Sequence, residues 1–204
     1  MDVDSTLITA EVIELLAAHA GTQDAVARIT ERAMRGELDF ATSLHARVAT
    51  LAGLPVSVFA DVLAELELTP GAQDLIDTLH AADWPVALVS GGFVEVVVPL
   101  ARSLGIARVR ANRLEVVDGR LTGFVDGGVV DRAAKAAALR EFAAAEGLDL
   151  ADTVGIGDGA NDLDMLATAG VSIAFHAKPL VRAQADIACE GRLDEVLDQL
   201  AARP

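Results

Sequence analysis

Short runs of apolar, β-branched residues recur through the second half of the chain, and segments with helical spacing of apolar residues separate them. Such runs, when they end in a glycine-containing turn, are typical of buried strands in a parallel sheet. The sequence predicts strands in "PVALVS" (85–90) and "TVGIGD" (153–158), and further strands in "VSIAF" and "ADIAC". Helices are predicted around them, over residues 73–82, 93–104 and 132–146.

Two other patterns interrupt this α/β alternation. Asp118 and Gly119 lie between alternating runs within residues 108–125, and an Asp-Gly pair in that setting predicts a β-hairpin. Between Leu7 and about Thr69 no strand pattern occurs, and apolar residues follow helical spacing. The sequence therefore predicts an inserted helical segment, which ends at the Pro and Gly of "LTPGAQ".

Composition narrows the possible functions. The chain has 204 residues, long enough for one domain with an insertion, and its net charge is -15. No basic run offers a footprint for nucleic acid, and no apolar run reaches the roughly 18 residues of a membrane span. One cysteine, Cys189, and a start without signal-peptide features predict a reducing, cytoplasmic setting. An anionic substrate would need local cations or a metal to offset the negative charge.

Two acidic residues open the chain in "MDVDSTL". At the end of a strand, Asp2 and Asp4 would point to the same side, because strand side chains alternate. Like charges that close raise each other's pKa unless a cation lies between them, and a divalent metal is such a cation. The alternatives are that the pair is solvated surface or caps a helix beginning near Leu7.

Three further segments carry candidate chemistry. "GIGDGANDLDML" puts Asp158 and Asp162 in a glycine-rich turn before a helix; it also fits a dinucleotide fingerprint, but an aspartate would then stand where the pyrophosphate approaches. "SGGF", from Ser90, follows a strand and opens a predicted helix, where a hydroxyl and backbone N–H groups can meet an anion. Lys135 begins a helical segment and, taken alone, would be read as a solvated surface lysine.

Four segments of the chain resemble, in the same order, the four motifs of the haloacid dehalogenase superfamily, most closely its phosphoserine phosphatase branch. These segments are "DVDST", "SGGF", Lys135 in "VVDRAAKAAAL", and "GDGANDLDML". The likeness runs from Asp2 to about Lys178, through "AGVSIAFHAKP", and the inserted helices resemble the same branch. It implies a Rossmann-like parallel sheet with a small helical cap. The expected domains are a core of residues 1–8 and 70–204 and a cap of residues 9–69.

The resemblance also implies a reaction, the hydrolysis of O-phosphoserine in the last step of serine biosynthesis, through an aspartyl phosphate. Asp2 would be the nucleophile and Asp4 the proton donor and acceptor. Mg²⁺ would be held by Asp2, the backbone carbonyl of Asp4 and Asp158, with Asp162 orienting its waters. Three groups would hold the phosphoryl oxygens: Ser90, the Gly91 amide and Lys135.

Substrate selectivity is expected from the cap. By resemblance, Glu11 would meet the substrate's ammonium and Arg47 its carboxylate, and Asn161 would contact the substrate near the site. Met34 and Phe40 match apolar positions that would shield the closed site, although their spacing also suits cap core. Small-molecule substrate binding is therefore expected, without nucleic acid or membrane.

One feature departs from the family pattern. The family places several apolar strand residues before the first aspartate, whereas this sequence has only Met1 there. This predicts a truncated chain with a shortened central strand. Two alternatives therefore remain: a folded but inactive phosphoamino-acid binder, or a phosphatase or phosphotransferase for another small phosphate ester.

Overall fold

The computed structural model describes residues 1–201, in which helices alternate with short strands. The α-helices are α1 (Val12–Ala20), α2 (Gln23–Met34), α3 (Phe40–Ala49), α4 (Val58–Glu65), α5 (Ala72–Ala81), α6 (Val94–Ser103), α7 (Arg132–Glu146), α8 (Leu163–Thr168), α9 (Pro179–Arg182) and α10 (Val196–Ala201). The strands are β1 (Ala87–Phe93), β2 (Arg108–Asn112), β3 (Leu114–Val117), β4 (Arg120–Val125), β5 (Val154–Gly157), β6 (Val171–Phe175) and β7 (Ile187–Cys189).

The parallel strands fall into two groups joined by the first residues of the chain. β1 pairs with β2, while β5, β6 and β7 pair in that order. The amino group of Met1 donates to the Ala87 carbonyl at 2.9 Å, and the N–H of Val89 donates to the Met1 carbonyl at 3.0 Å. On the other side, the N–H of Asp2 donates to the Ile156 carbonyl at 2.9 Å. The backbone of Met1 and Asp2 therefore lies between β1 and β5, where a central strand would run.

The predicted hairpin is confirmed, and its first part needs a correction. β3 and β4 pair antiparallel around Asp118 and Gly119, whose φ values of 51° and 73° are those of a type I′ turn. Residues 108–112 do not belong to the hairpin, because they form β2, parallel to β1. β1 also continues beyond its predicted end, through the glycines to Phe93, so α6 begins at Val94.

The four elements between Val12 and Glu65 are all helices, in agreement with the helical spacing there. The two ends of this segment meet each other. The N–H of Thr9 donates to the Glu67 carbonyl at 3.0 Å, and the N–H of Thr69 donates to the Leu7 carbonyl at 2.9 Å. This short antiparallel contact connects the helical segment to the rest of the fold.

One apolar core runs through both parts of the molecule. It includes Leu16 and Val48 of the helical segment, together with Phe93 and Ile173 of the strands. Burial of such side chains is the main favourable contribution to folding, about 1.5 to 3 kcal/mol each. Within residues 1–201, no helix is both long and apolar enough to cross a membrane.

Candidate active site

The predicted catalytic segments meet where β1, β5 and the first residues of the chain end. In parallel α/β sheets, ligands bind at the carboxyl ends of the strands. Asp2 follows Met1 between the strands, Ser90 lies in β1, and Asp158 comes directly after β5. Asp2 is only 2% exposed and Ser90 is fully buried, so neither side chain is solvated surface.

Lys135 lies at the centre of this arrangement. It is in the first turns of α7, a helix whose N-cap Asp131 accepts a hydrogen bond from the N–H of Ala134. The Lys135 Nζ donates to Asp2 Oδ1 and to Asp162 Oδ1, each at 2.7 Å, and Lys135 is fully buried. Burial lowers the pKa of Lys135, but the two carboxylates outweigh burial and raise the pKa above its ordinary value. Lys135 is therefore a fixed positive charge between two carboxylates.

Three aspartates can share one cation. One carboxylate oxygen from each of Asp2, Asp158 and Asp162 lies within 4.8 Å of the other two. Burial first, and then the charge of Asp162, raises the pKa of Asp158 to about 6 and that of Asp2 well above its ordinary value. Carboxylate oxygens are hard ligands, and the single charge of Lys135 does not neutralise three carboxylates. Such a cluster is suited to a divalent metal. The residues present therefore fit such an ion.

Asp162 is expected to orient the waters of a bound metal, and its contacts are consistent with that role. Its Oδ1 accepts from Lys135, and its Oδ2 accepts from the N–H of Gly159 at 3.1 Å. Both of its oxygens therefore already have protein donors, whereas within residues 1–201 the Asp158 carboxylate accepts one long hydrogen bond, 3.4 Å from Thr6 Oγ1. Asp158 is accordingly the freer of the two to bind a metal directly.

Asp4 does not lie on a strand. It is in a turn, and its Oδ1 accepts from the N–H of Val12 at 2.8 Å while its Oδ2 accepts from Ser90 Oγ at 2.9 Å. The solvated-surface interpretation is wrong for Asp4, which is 9% exposed. The helix-cap interpretation is partly right, although α1 begins at Val12 rather than near Leu7. Burial raises the pKa of Asp4, and the two hydrogen bonds oppose that effect.

The Ser90–Gly92 segment is extended, not the start of a helix. The predicted helix does follow this segment, but α6 begins at Val94, one residue later than predicted, because the chain stays in β1 until Phe93. The N–H of Gly92 donates to Ser90 Oγ at 2.7 Å. A Cβ at Gly92 would lie 2.8 Å from Asp4 Oδ2, and one at Gly91 would lie 3.2 Å from the Phe40 ring. Glycine is needed at Gly92 because a larger residue would displace the Asp4 carboxylate.

A cavity of about 710 Å³ lies over these groups and extends to the helical segment. Glu11 lines it, held by a 2.8 Å hydrogen bond from Ser5 Oγ, and burial followed by the charge of Asp4 raises the pKa of Glu11 to about 7. Arg47 also lines it, and burial lowers the pKa of its guanidinium. Met34 is 70% exposed at the cavity, so it is not cap core.

The predicted residues divide into two groups by position. Some line the cavity directly: Asp2, Asp4, Glu11, Met34, Phe40, Arg47, Gly91, Asp158 and Asn161. Others are buried behind it and touch the lining residues through hydrogen bonds: Ser90, Lys135 and Asp162. The structure thus places every predicted site residue either in the lining of this cavity or directly behind it.

A family comparison matches residues 1–167 to the haloacid dehalogenase-like hydrolase model. The chain belongs to this family. Among curated relatives, the haloacid dehalogenase-like chain is 62% identical over 188 residues to a phosphoserine phosphatase of Streptomyces coelicolor, covering 92% of this chain and 46% of the relative. It is 56% identical over 185 residues to a phosphoserine phosphatase of Streptococcus thermophilus, covering 91% and 86%.

A solved structure of a substrate-bound phosphoserine phosphatase complex is 43% identical, with a TM-score of 0.91, over 97% of this chain and 95% of the other. These similarities confirm the predicted α/β fold and family. The chain spans about half the length of the first two curated relatives, 46% and 45%.

Two basic residues of this haloacid dehalogenase-like site were not predicted from the sequence. Arg132 and Lys178 line the cavity, and the N–H of Lys178 donates to the Asp158 carbonyl at 3.3 Å. Arg132 pairs with Asp164 at 2.6 Å. A signal existed, because the chain has only two lysines, Lys135 and Lys178, and both reach this site.

Proposed function

We propose that the chain hydrolyses O-phosphoserine to serine and phosphate in a Mg²⁺-dependent reaction. The observation that carries the proposal is the buried arrangement of Asp2 against Lys135, with Asp158 and Asp162 within ligand distance of one another. In this arrangement one positive charge, Lys135, is shared by the carboxylates of Asp2 and Asp162, so the three aspartates together keep the negative charge that a metal would neutralise. The similarity to phosphoserine phosphatases supports the choice of reaction.

In this reaction Asp2 attacks the phosphorus. The bond between phosphorus and the seryl oxygen breaks as an acyl phosphate forms on Asp2, and Asp4 gives its proton to the departing oxygen. Water then attacks the acyl phosphate, Asp4 takes a proton from that water, and the bond between Asp2 and phosphorus breaks. Asp2 is regenerated, and the products are serine and inorganic phosphate.

Positive charge and dipoles hold the phosphoryl oxygens during both steps. Lys135 and the Gly91 amide would bind these oxygens, and bound Mg²⁺, held by Asp2, Asp158 and the Asp4 backbone carbonyl, would supply charge neutralisation there. The single hydroxyl proton of Ser90 is donated to Asp4, so Ser90 would act on the phosphoryl group through Asp4 rather than by direct contact. Asp162 would orient the metal's waters, since its own oxygens are held by Lys135 and Gly159.

Substrate selection would come from the helical segment, proposed as a cap of residues 9–69 over a core of residues 1–8 and 70–204. Glu11 and Arg47 line the same cavity and carry opposite charges, which suits the ammonium and carboxylate of an amino acid. Asn161 would contact the substrate, and Met34 and Phe40 would limit water access to the closed site. A cytoplasmic setting stays a prediction of the composition.

The test compares two esters that differ by one carboxylate. Arg47→Ala should lose about 10- to 150-fold in kcat/KM on phosphoserine, the value of a charge-assisted hydrogen bond of about 1.5 to 3 kcal/mol. Its much weaker hydrolysis of phosphoethanolamine should be nearly unchanged. Arg140→Ala, a surface change on α7, is the matched control and should alter neither substrate. Equal losses on both esters would show that Arg47 holds the fold or the phosphate, and chelating Mg²⁺ should abolish all activity.

A further inference from the structure

Asn112 is a buried polar residue to which the proposed reaction gives no role. It is 1% exposed and lies at the end of β2, paired with Phe93 at the end of β1. Its Nδ2 donates to the Gly91 carbonyl at 2.8 Å, and its Oδ1 accepts from the N–H of Val130 at 2.7 Å. These partners fix the orientation of the amide, because a carbonyl can only accept and a backbone N–H can only donate.

Further hydrogen bonds connect Gly91 to Ser90 and Asp4. The Gly91 carbonyl and the Gly92 N–H belong to one planar peptide group, so a hydrogen bond to the carbonyl fixes the direction of that N–H. The Gly92 N–H donates to Ser90 Oγ at 2.7 Å, and Ser90 Oγ in turn donates to Asp4 Oδ2 at 2.9 Å. Every donor from Asn112 onward therefore points towards Asp4. Chains of hydrogen bonds with one direction polarise and strengthen one another.

The other side of Asn112 reaches a second catalytic segment. Val130 immediately precedes Asp131, the N-cap of α7, and α7 carries Lys135. The amide of Asn112 therefore connects the Ser90–Gly92 segment with the start of the helix that presents the buried lysine. The hydrogen bond from Val130 is buried and the one to Gly91 is partly buried, and hydrogen bonds shielded from water in this way are electrostatically stronger than exposed ones.

We propose that Asn112 is a positioning residue for proton transfer: through the Gly91–Gly92 peptide and the Ser90 hydroxyl, it holds the Asp4 carboxyl in the orientation needed to protonate the leaving oxygen. The inference rests on the proposed phosphatase function. It assigns Asn112 no contact with substrate. Its effect should therefore depend on how much the leaving group needs a proton.

The experiment measures the rate constant of the phosphorylation step, written kcat here, on phosphoserine and on 4-nitrophenyl phosphate, whose leaving group needs no proton. Rapid quenching isolates this step from the later attack of water, in which Asp4 acts on both esters alike. Asn112→Asp keeps the size and the acceptor for Val130 but removes the donor to Gly91, and Asn112→Leu removes both. In each variant, kcat should fall at least about 10-fold more on phosphoserine than on the nitrophenyl ester, a part of the about 100- to 10,000-fold that general acid catalysis supplies. KM for phosphoserine should change less than kcat.

Ser172→Ala is the matched control. Ser172 is a buried polar residue of β6 whose Oγ donates to Asp186 at 2.7 Å, away from the cavity. This change should lower the melting temperature without altering the ratio of the two kcat values. Asn112→Ser, which is smaller and avoids a buried charge, replaces either Asn112 variant that fails to fold.

The outcomes separate the inference from the proposed function. If wild type hydrolyses phosphoserine and the Asn112 variants lose equal factors on both esters, Asn112 is only structural and the inference is overturned. A loss confined to KM would overturn it as well. If wild type hydrolyses neither ester, the proposed function itself fails. A selective loss on phosphoserine, absent in Ser172→Ala, supports the positioning role.

Discussion

The N–H of Val12 donates to the carboxylate of Asp4 at 2.8 Å, so one side chain joins the candidate active site to the first residue of α1. The other oxygen of the same carboxylate accepts from Ser90 in β1. Glu11, the N-cap of α1, has no side-chain hydrogen bond of its own to the helix. Asp4 therefore has a structural contact at the helix start that can be separated from the chemical role proposed for it in the cavity.

Replacing Asp4 in two ways should separate these functions. Asp4→Asn keeps an oxygen that can accept from Val12 but has no acidic proton, so its melting temperature should stay near wild type while phosphoserine turnover is lost. It should recover relative activity on 4-nitrophenyl phosphate. Asp4→Ala also loses the helix contact, which is worth about 0.5 to 2 kcal/mol, and should melt lower. Equal melting temperatures for the two variants would contradict the structural function.

Periodicity in the sequence predicted most of the fold, because buried strands and amphipathic helices have distinct patterns. The hairpin followed from Asp118 and Gly119, whose local conformation depends little on the rest of the chain. The sequence misled at β2, since the alternation of Arg108, Val109 and Arg110 resembles a hairpin strand. Its pairing with β1 is a long-range contact that local patterns do not encode.

The site was harder to predict than the fold. Asp2 and Lys135 are 133 positions apart in sequence, and only the ordered set of motifs suggested that they meet. Composition alone favoured a surface location for Lys135, because isolated lysines are rarely buried. The turn at Asp4 was missed because it depends on Ser5, whose φ of 56° is unusual for a residue other than glycine.

Removing the positive charge of Lys135 should destabilise the protein. Lys135→Met keeps the length of the side chain but leaves the carboxylates of Asp2 and Asp162 facing each other while buried. Breaking a buried ion pair in this way costs about 3 to 5 kcal/mol. Thermal unfolding should therefore show a large drop for Lys135→Met and little change for Arg140→Met on the exposed side of the same helix. Similar melting temperatures would mean that the two carboxylates are protonated in the metal-free protein.

Magnesium should stabilise the protein most where the carboxylates are ionised. Burial raises the pKa of Asp158 from 3.8 to about 6, so folding favours the protonated form of this side chain. In the metal-free protein, its contribution to the free energy of unfolding is fully present below about pH 3.8 and is lost as the pH rises through about 6. A divalent cation reverses this loss by binding the ionised form. Millimolar Mg²⁺ should raise the melting temperature more at pH 7.5 than at pH 5.

Asp158→Asn should abolish most of that magnesium effect, because it removes a charged ligand without changing the size of the side chain. Asp198→Asn, on the exposed side of α10, is the matched control and should respond to Mg²⁺ like wild type. If Mg²⁺ raised the melting temperature of Asp158→Asn as much as that of wild type, Asp158 would not be a metal ligand.

The ionisation of Glu11 should set the pH dependence of selectivity. The pKa of Glu11 is raised to about 7, first by burial and then by the charge of Asp4, so at pH 6 most of the side chain is neutral and cannot pair with an ammonium. The ratio of kcat/KM on phosphoserine to that on phosphoglycolate, which lacks the ammonium, should therefore rise up to about 10-fold between pH 6 and pH 8. The ratio cancels ionisations that affect both esters alike. Glu11→Gln should flatten this rise, whereas Glu31→Gln, on the exposed face of α2, should preserve it. A rise that persists in Glu11→Gln would mean that another group recognises the ammonium.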